Sequence, residues 1–306
     1  MSSIVINKPG VIADYQNGNV HVILKDDGTR IMECPDGEEW NFEFPCSADV
    51  TITTKCDGGC PYCYLGCTPN GKDADLYSSL IDSFHPGMEI AINLNSMDHK
   101  QLISFLQRMK DRGVIVNGTV NQIHFERHNE HILKTLCDNE LIHGLGISAK
   151  KPTPEFVRKV KYFPNAVIHV INGLWTAEDI EVMKDNGLKV LILGYKTKGR
   201  GVEYKETNGE LIKRNQEYLY DILPELPKMF KVISFDNLAI SQLDVRRIVP
   251  EGKWDEFYQG DEGTCSMFID LVNGYFARSS LIDDPARKYP LTNNIDEMFK
   301  VVKNGG

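Results

Sequence analysis

Four of the eight cysteines in this chain of 306 residues fall in one short loop, at Cys56, Cys60, Cys63 and Cys67. The first three form a CxxxCxxC pattern, and Gly58-Gly59 between them allow the backbone to turn tightly. Thiolates at this spacing point inward from one loop toward a common centre. Because the loop is polar and glycine-rich, ordinary buried thiols are a poor explanation, and we expect a metal or a metal cluster.

Two noncatalytic alternatives are open for this loop. A structural zinc ion takes four ligands in a closed tetrahedron, and Cys67 is the available fourth thiol because no second CxxC pair exists. An electron-transfer cluster of ferredoxin type also uses four cysteines, commonly as CxxCxxCxxxCP. Here the first gap is one residue longer and Thr68 follows Cys67 in place of proline. Either alternative makes the chain a metal-binding or electron-transfer protein.

The composition is that of an ordinary globular protein, with 42% hydrophobic and 25% charged residues. The net charge of −9 and the lack of a basic run disfavour bulk binding of nucleic acid. No apolar run approaches the ~18 residues of a membrane span, and the first residues lack a signal-peptide pattern. The cysteines are too sparse for a disulfide scaffold. We therefore expect a soluble, non-secreted protein in the reducing cytoplasm, with no membrane partner.

From residue 48 onward, short apolar runs alternate with amphipathic helices. A helix is predicted after Asp98, another from Thr153-Pro154, and a third from the capping box that begins at Thr176. The seven strand candidates are ADVTITT, EIAINLN, GVIVNGTVN, LGIS, AVIHVIN, KVLILGY and KVISFDNLAI. Such repeated units require a parallel sheet with right-handed crossovers. The sequence therefore predicts an α/β fold, either an open doubly wound sheet or a full or partial β/α barrel.

We divide the chain into three predicted regions. Residues 1–47 form an N-terminal β-rich extension, in which Asp27-Gly28 marks a hairpin. Residues 48–240 form the core of alternating strands and helices. Residues 241–306 form a C-terminal extension, in which Asn273-Gly274 between two alternating runs predicts a second hairpin.

The cysteine loop resembles that of the radical SAM superfamily. It reads CxxxCxΦC, with aromatic Tyr62 before the third cysteine, at the end of the first strand of a β/α series. The resemblance implies a partial (β/α)6-type barrel in which Cys56, Cys60 and Cys63 hold three irons of a 4Fe-4S cluster. It implies that the open iron binds S-adenosylmethionine and that reductive cleavage releases a 5′-deoxyadenosyl radical. Cys67 is then not a ligand.

The resemblance also assigns residues to S-adenosylmethionine. The family motif GGE at the end of the second strand is replaced by Asn93-Leu94-Asn95-Ser96, which is a clear departure. Ser148 ends the fourth strand, and Leu193-Gly194-Tyr195 resembles the backbone segment that reads the adenine edge. The implied contacts to the cofactor are Tyr62, Asn93, Asn95, Ser148, Asn172 and Tyr195. Tyr62 either shields the cluster or contacts adenine.

Other polar residues follow the strand ends, where ligands gather in α/β folds. Lys196 is expected to face the substrate, and His124 either does so or serves as a helix-capping or surface residue. Gly199-Arg200-Gly201 is expected to be either a basic loop over the mouth or a solvated turn. Only Cys265 lies beyond residue 137, so no auxiliary cluster is expected.

The expected reaction is hydrogen abstraction from an unreactive carbon. Because no docking domain is evident, a small molecule or a nucleotide is the first expectation for the substrate, and a peptide or protein is the alternative. The resemblance implies that a flavodoxin or ferredoxin supplies the low-potential electron.

Overall fold

The structure is a computed structural model that describes residues 9–95 and 97–305. The first eight residues of the predicted N-terminal extension and Ser96 of the predicted cofactor motif lie outside the described residues. The chain opens with a three-stranded antiparallel sheet, β1 (Val11–Asn17), β2 (Val20–Lys25) and β3 (Arg30–Glu33). Gly28 adopts a left-handed conformation in the turn between β2 and β3, which confirms the first predicted hairpin.

The centre of the molecule is a parallel sheet whose strands follow one another in chain order. They are β4 (Ser47–Thr51), β5 (Glu89–Asn93), β6 (Ile115–Asn121), β7 (Gly144–Ser148), β8 (Ala166–Ile171), β9 (Lys189–Leu193) and β10 (Val232–Phe235). Every strand candidate thus forms a strand. The predicted α/β class with a partial barrel is confirmed.

The described residues contain α-helices that cover the sheet and shorter turns of helix. The α-helices are α1 (Leu102–Asp111), α2 (Gln122–His128), α3 (Lys134–Asp138), α4 (Pro154–Val160), α5 (Ala177–Met183), α6 (Arg200–Ile222), α7 (Leu226–Met229), α8 (Asn237–Leu243), α9 (Trp254–Phe257) and α10 (Ile295–Lys303). The shorter turns are Ser79–Ser83, Asn129–Leu133, Val245–Ile248 and Pro285–Arg287. Within this part of the chain, no helix is long and apolar enough to cross a bilayer.

Local sequence signals explain where two of these helices begin. Thr176 and Asp179 form the predicted capping box of α5, and the Thr153 side chain caps α4. Helix α1 begins at Leu102, later than the prediction after Asp98, and its first turn has no side-chain cap. Its apolar face is buried against the sheet, as its periodicity indicates.

The C-terminal hairpin joins the same sheet. Strand β11 (Ser266–Asp270) pairs in parallel with β4, and β12 (Tyr275–Ala277) pairs antiparallel with β11 and with β13 (Tyr289–Pro290). The strand order is therefore β10-β9-β8-β7-β6-β5-β4-β11-β12-β13. The hairpin predicted at Asn273-Gly274 is confirmed, and it extends the sheet beyond its first core strand.

The two faces of the core sheet have different roles, since successive side chains of a strand point to opposite faces. Ile90 and Ile168 are fully buried in the hydrophobic core. Their neighbours Ala91 and His169 line a cavity of about 620 Å³. The curved sheet therefore encloses a cavity rather than a packed interior.

The N-terminal sheet lies at the end of this cavity where the core strands begin. Leu24, Asp27 and Gly28 contribute to the cavity wall. The Nζ atom of Lys189 donates a hydrogen bond of 3.2 Å to the backbone oxygen of Asp27, and Arg30 forms an ion pair with Glu89. The N-terminal extension thus closes one end of the cavity, and ligands have to enter from the other end or the side.

Candidate functional site

The cysteine loop begins directly after β4 and is closed at its neck by backbone hydrogen bonds. The amide of Thr54 donates to the oxygen of Lys72 at 2.8 Å, and the amide of Cys56 donates to the oxygen of Thr68 at 2.9 Å. Gly59 adopts a left-handed conformation inside the loop, as expected for a glycine at a tight turn. These contacts give the twelve-residue segment 56–67 a fixed base on the first core strand.

The thiols of Cys56, Cys60, Cys63 and Cys67 line the cavity, and all eight cysteines of the chain are free thiols. Among residues 9–95 and 97–305, no three His, Cys, Asp or Glu side chains are arranged to hold a single metal ion. A structural zinc ion takes four ligands around one ion, whereas an iron–sulfur cluster binds each cysteine through a different iron.

The chemistry of the loop fits a cluster held by thiolates. The amide of Gly58 donates to Sγ of Cys56 at 3.3 Å. The thiol of Cys67 and two backbone amides donate to Sγ of Cys63 and lower the pKa of that thiol, whereas burial raises the pKa of Cys56 and Cys60. A Cβ at Gly58 would lie 1.9 Å from Nδ2 of Asn121, so only glycine fits there.

Helix α2 anchors the loop on one side. Nε2 of His124 lies 2.6 Å from Oδ1 of Asp57, and Nη1 of Arg127 donates to Oδ2 of Asp57 at 2.7 Å. These two bonds lower the pKa of Asp57 to about 2. The backbone amide of His124 donates to Oδ1 of Asn121, so β6 and α2 share one contact network. His124 is buried, and the expectation of a surface or helix-capping side chain is wrong.

Helix α6 anchors the loop on the other side. Nε of Arg200 donates to the oxygen of Cys60 at 3.0 Å, and Nη1 donates to the oxygen of Cys67 at 2.9 Å. The backbone amide of Arg200 donates to the oxygen of Cys63 at 3.1 Å. Arg200 is therefore bound to the cysteine loop, and the two sequence-based alternatives, a solvated turn or a free basic loop over the mouth, are both wrong for its side chain.

Five of the six residues assigned to S-adenosylmethionine line the cavity together with the thiols. They are Tyr62, Asn93, Asn95, Ser148 and Tyr195. Asn172 does not belong to the cavity wall: it is fully buried, and its Nδ2 atom donates to Gln242 at 3.0 Å. The structure brings the first five together, and their contacts with a cofactor stay predictions.

Two of these five already have protein partners. Oδ1 of Asn93 accepts from the amide of Ile52 at 2.9 Å, and its Nδ2 atom donates to the oxygen of Thr53 at 2.6 Å, so this side chain braces the start of the cysteine loop. The amide and the carbonyl of Tyr195 both bind Gln242. The backbone amide that the family resemblance assigns to the adenine edge is thus already engaged.

Part of the cavity wall is charged. Nζ of Lys196 donates to Oγ of Ser280 at 2.9 Å and lies 4.1 Å from the centre of the Tyr64 ring. Asp49 and Glu262 also line the cavity, and burial raises the pKa of both carboxyl groups. Lys196 thus lies on the cavity wall, and its contact with a substrate stays a prediction.

Several wall residues were not predicted from the sequence, although a signal existed for two of them. Asp49 and His169 are polar residues inside otherwise apolar strands, and in a barrel such positions point to the interior. Burial lowers the pKa of His169 to about 4. Glu262 gave no signal, because it lies in an irregular segment before β11.

No protein-family model matches the chain. No curated protein matches it by sequence either. Solved structures do match: SuiB of Streptococcus suis bound to S-adenosylmethionine aligns with a TM-score of 0.51 and 13% identity, over 81% of this chain and 64% of the SuiB chain. SuiB bound to the precursor peptide SuiA aligns with a TM-score of 0.55 and 11% identity, over 100% of this chain and 90% of the other.

SuiB is a radical SAM enzyme. The chain has the radical SAM fold. At these identities the likeness concerns the fold alone, and in the first alignment the chain spans less than two thirds of SuiB. Within the radical SAM fold, the cysteine loop follows the first core strand and faces the cavity enclosed by the sheet.

Proposed function

We propose that this chain is a radical SAM enzyme whose substrate is a peptide. Cys56, Cys60 and Cys63 hold a 4Fe-4S cluster, and S-adenosylmethionine binds across the ends of the core strands. When bound, the cluster supplies an electron that cleaves S-adenosylmethionine and yields a 5′-deoxyadenosyl radical, which abstracts hydrogen from the substrate.

One observation carries this proposal: the three thiols of the CxxxCxxC pattern converge on one cavity of a radical SAM fold. The cavity volume of about 620 Å³ lies within the range of ~300–1,000 Å³ typical of ligand and cofactor sites. The wall offers amide, hydroxyl and charged side chains to a polar cofactor. Loop, cavity and fold are independent features, and each supports the same class of enzyme.

The peptide is favoured over a small molecule or a nucleotide by the comparison with SuiB. The SuiB structure that aligns with the whole of this chain contains a precursor peptide. The first expectation from the sequence, a small molecule or nucleotide, rested on the lack of an evident docking domain. The likeness in fold supports the alternative, a peptide or protein, better.

The residues of the chain have three tasks in this function. Asn93, Asp57 and Arg200 fix the position of the cysteine loop, and they act on the thiols through the loop backbone. Asn95 and Ser148 offer polar groups to S-adenosylmethionine. Asp49 and Lys196, on the charged part of the cavity wall, face the substrate. Enclosure by the sheet excludes water from the radical, which loose solvent would quench.

The proposed function is tested by anaerobic reconstitution with iron and sulfide, followed by dithionite and S-adenosylmethionine. Liquid chromatography with mass spectrometry measures 5′-deoxyadenosine, and electron paramagnetic resonance records the reduced cluster. We expect 5′-deoxyadenosine from the wild type and none from Cys56→Ala. The proposed enzymatic function would be refuted if S-adenosylmethionine did not change the spectrum of the reduced cluster and no 5′-deoxyadenosine formed.

Cys67→Ala distinguishes the three-cysteine cluster from the noncatalytic alternatives. Under the proposed function this variant keeps its iron and its cleavage of S-adenosylmethionine, because Cys67 is not a ligand. Loss of the metal site in Cys67→Ala would instead support a site with four cysteine ligands, either an electron-transfer cluster or a structural zinc ion.

The substrate class is tested separately, with a library of synthetic peptides and a set of nucleosides added to the reduced enzyme. Peptide-dependent stimulation of 5′-deoxyadenosine formation supports the proposal, and stimulation by nucleosides alone contradicts it. We further propose that the protein works in the cytoplasm with a flavodoxin or ferredoxin as electron donor. Eight free thiols and an oxygen-sensitive cluster suit a reducing compartment.

A further inference from the structure

We propose that Arg200 is a positioning residue for the iron–sulfur cluster, a role that rests on the proposed function. Its guanidinium and its backbone amide bind three carbonyl oxygens of the cysteine loop. In addition, the cationic side chain lies beside the cluster position and favours the more negative, reduced cluster.

The contacts involve three of the four cysteines in the loop. The guanidinium binds the oxygens of Cys60 and Cys67, at 3.0 and 2.9 Å, and the backbone amide binds the oxygen of Cys63 at 3.1 Å. The planar guanidinium group holds its N–H donors in a fixed, fork-like arrangement. The two side-chain hydrogen bonds therefore define the separation of the two carbonyl oxygens. A lysine offers no such fork.

The residue before Arg200 shows that the backbone conformation allows the start of α6 to lie close to the cysteine loop. Gly199 adopts a left-handed conformation with φ of 53°, and a Cβ there would lie 2.5 Å from the oxygen of Tyr64 and 2.8 Å from the oxygen of Cys63. Only glycine allows helix α6 to begin so close to the loop. The start of α6 is therefore fitted to the cysteine loop.

The orientation of the loop backbone matters for the sulfurs. Backbone amides of Leu65 and Cys67 donate to Sγ of Cys63, and the amide of Gly58 donates to Sγ of Cys56. Hydrogen bonds to the sulfurs and net charge near the cluster set its reduction potential. Arg200 binds the carbonyl oxygens of Cys63 and Cys67, which flank the turn that carries the Leu65 and Cys67 amides, and thereby holds this turn in place.

The charge of Arg200 acts on the cluster position because its described acceptors are carbonyl oxygens and not a carboxylate. A cation that forms an ion pair loses much of its field at a distance. Half-buried Arg200 lines the same cavity as the thiols of Cys60 and Cys63, so its charge lies on the cavity wall that carries the sulfurs.

Three variants test the proposal in the reconstituted full-length protein. Arg200→Gln removes the charge and the fork, Arg200→Lys keeps the charge but removes the fork, and Arg214→Gln changes an exposed arginine further along α6. For each variant, the rate of iron loss to a chelator, the midpoint potential of the cluster and the melting temperature of the apo protein are measured.

We expect Arg200→Gln to lose iron about tenfold faster than the wild type, in line with residues that orient metal ligands. Its midpoint potential becomes more negative, because the reduced cluster loses a nearby cation. Arg200→Lys loses iron faster while its potential stays near that of the wild type, and Arg214→Gln matches the wild type in both measurements.

Equal rates of iron loss in the wild type and Arg200→Lys would show that the fork-like arrangement of the guanidinium donors does not position the loop. An unchanged midpoint potential in Arg200→Gln would show that the charge of Arg200 does not act on the cluster. If Arg200→Gln does not fold, the rate of iron loss from Arg200→Lys alone tests the role of the guanidinium geometry. Arg200→Met then replaces Arg200→Gln in the test of the charge. None of these readouts needs S-adenosylmethionine. A wild type that holds a cluster but fails to cleave S-adenosylmethionine therefore refutes the proposed function and leaves this test intact.

Discussion

Nε2 of His124 lies 2.6 Å from Oδ1 of Asp57, which joins a buried ring in α2 to a half-exposed carboxylate in the cysteine loop. Only about 3% of the His124 side chain is exposed, so Nε2 loses its described hydrogen-bond partner in a buried environment if Asp57 is removed. A buried polar group without a partner destabilises the folded state more than the loss of a surface contact. The contact therefore carries more weight than the ion pair of Asp57 with Arg127.

Asp57→Ala is expected to lower the free energy of unfolding of the apo protein by about 1–2 kcal/mol. Arg127→Gln removes only the half-exposed ion pair with Asp57, and its effect should stay below about 1 kcal/mol. Urea denaturation of both variants and the wild type measures the difference. Equal effects of the two substitutions would show that His124 does not depend on Asp57.

The two neighbouring glycines of the loop should respond differently to alanine. A Cβ at Gly58 meets Nδ2 of Asn121 at 1.9 Å, whereas a Cβ at Gly59 has open space but a left-handed backbone with φ of 59°. Gly58→Ala should cost about 1–3 kcal/mol through overpacking and displace the loop. Gly59→Ala should cost about 1–2 kcal/mol through backbone strain alone.

Iron incorporation separates these two mechanisms. We expect Gly58→Ala to bind less iron, and the further substitution Asn121→Ala to restore part of the iron because it removes the steric conflict. The same second substitution should not improve Gly59→Ala. A double variant with Gly58→Ala that binds no more iron than the single variant would argue against a steric cause.

His169 gives the stability of the apo protein a pH dependence. Burial lowers its pKa to about 4 in the folded state, against 6.5 for an ordinary histidine, so the unfolded chain binds the proton more tightly. Stability is then full above pH 6.5 and decreases as the pH falls toward 4. The loss is about 3 kcal/mol at most, and less to the extent that water in the cavity screens the ring.

Chemical denaturation of the wild type and His169→Gln between pH 7 and pH 4.5 measures this contribution. The difference in unfolding free energy between the two proteins should shrink or reverse in favour of the variant as the pH falls. Parallel curves over this range would mean that His169 titrates alike in the folded and unfolded chains.

Lys198 joins the segment after β9 to the segment after β12. Its Nζ atom donates to the oxygens of Ser280 and Ile282 at 2.8 and 3.1 Å and pairs with Asp283 at 2.9 Å. Lys198→Ala should cost about 1–2 kcal/mol, because a charged donor to backbone carbonyls is lost. The local effect should be greater opening of residues 279–284.

Hydrogen exchange by mass spectrometry checks this local opening. Lys198→Ala should increase the exchange of amides in residues 279–284, whereas Lys213→Ala, which removes an exposed pair with Glu217 on α6, should leave them unchanged. Exchange that rises equally across the whole chain would point to a global loss of stability rather than a local closure.

Much of the core was predictable because its signals are local. Each apolar run bounded by polar residues became a parallel strand, and the caps at Thr153 and Thr176 determined where two helices begin. The cysteine loop was readable because the spacing of its thiols is itself the chemical signal. Such features depend on residues close together in the sequence.

The contacts that hold the site were not predictable, since they join residues far apart in the chain. Arg200 binds the oxygen of Cys60 across 140 positions, and Asp57 meets His124 across 67 positions. Asn172 follows a strand as the cofactor residues do, but its side chain points to Gln242. The direction of a side chain at the end of a strand depends on tertiary packing, and the spacing of residues along the sequence does not reveal that packing.

The parallel pairing of β11 with β4 has a consequence for the biosynthesis of the protein. The register pairs Ser47 with Ser266 and Thr51 with Asp270, so one edge of β4 lacks this partner until residues 266–270 have been synthesised. Strand pairs of such high sequence separation form late and slowly. Iron that is delivered before β11 has been synthesised would therefore meet a sheet in which the strand before the cysteine loop is paired on one edge at most.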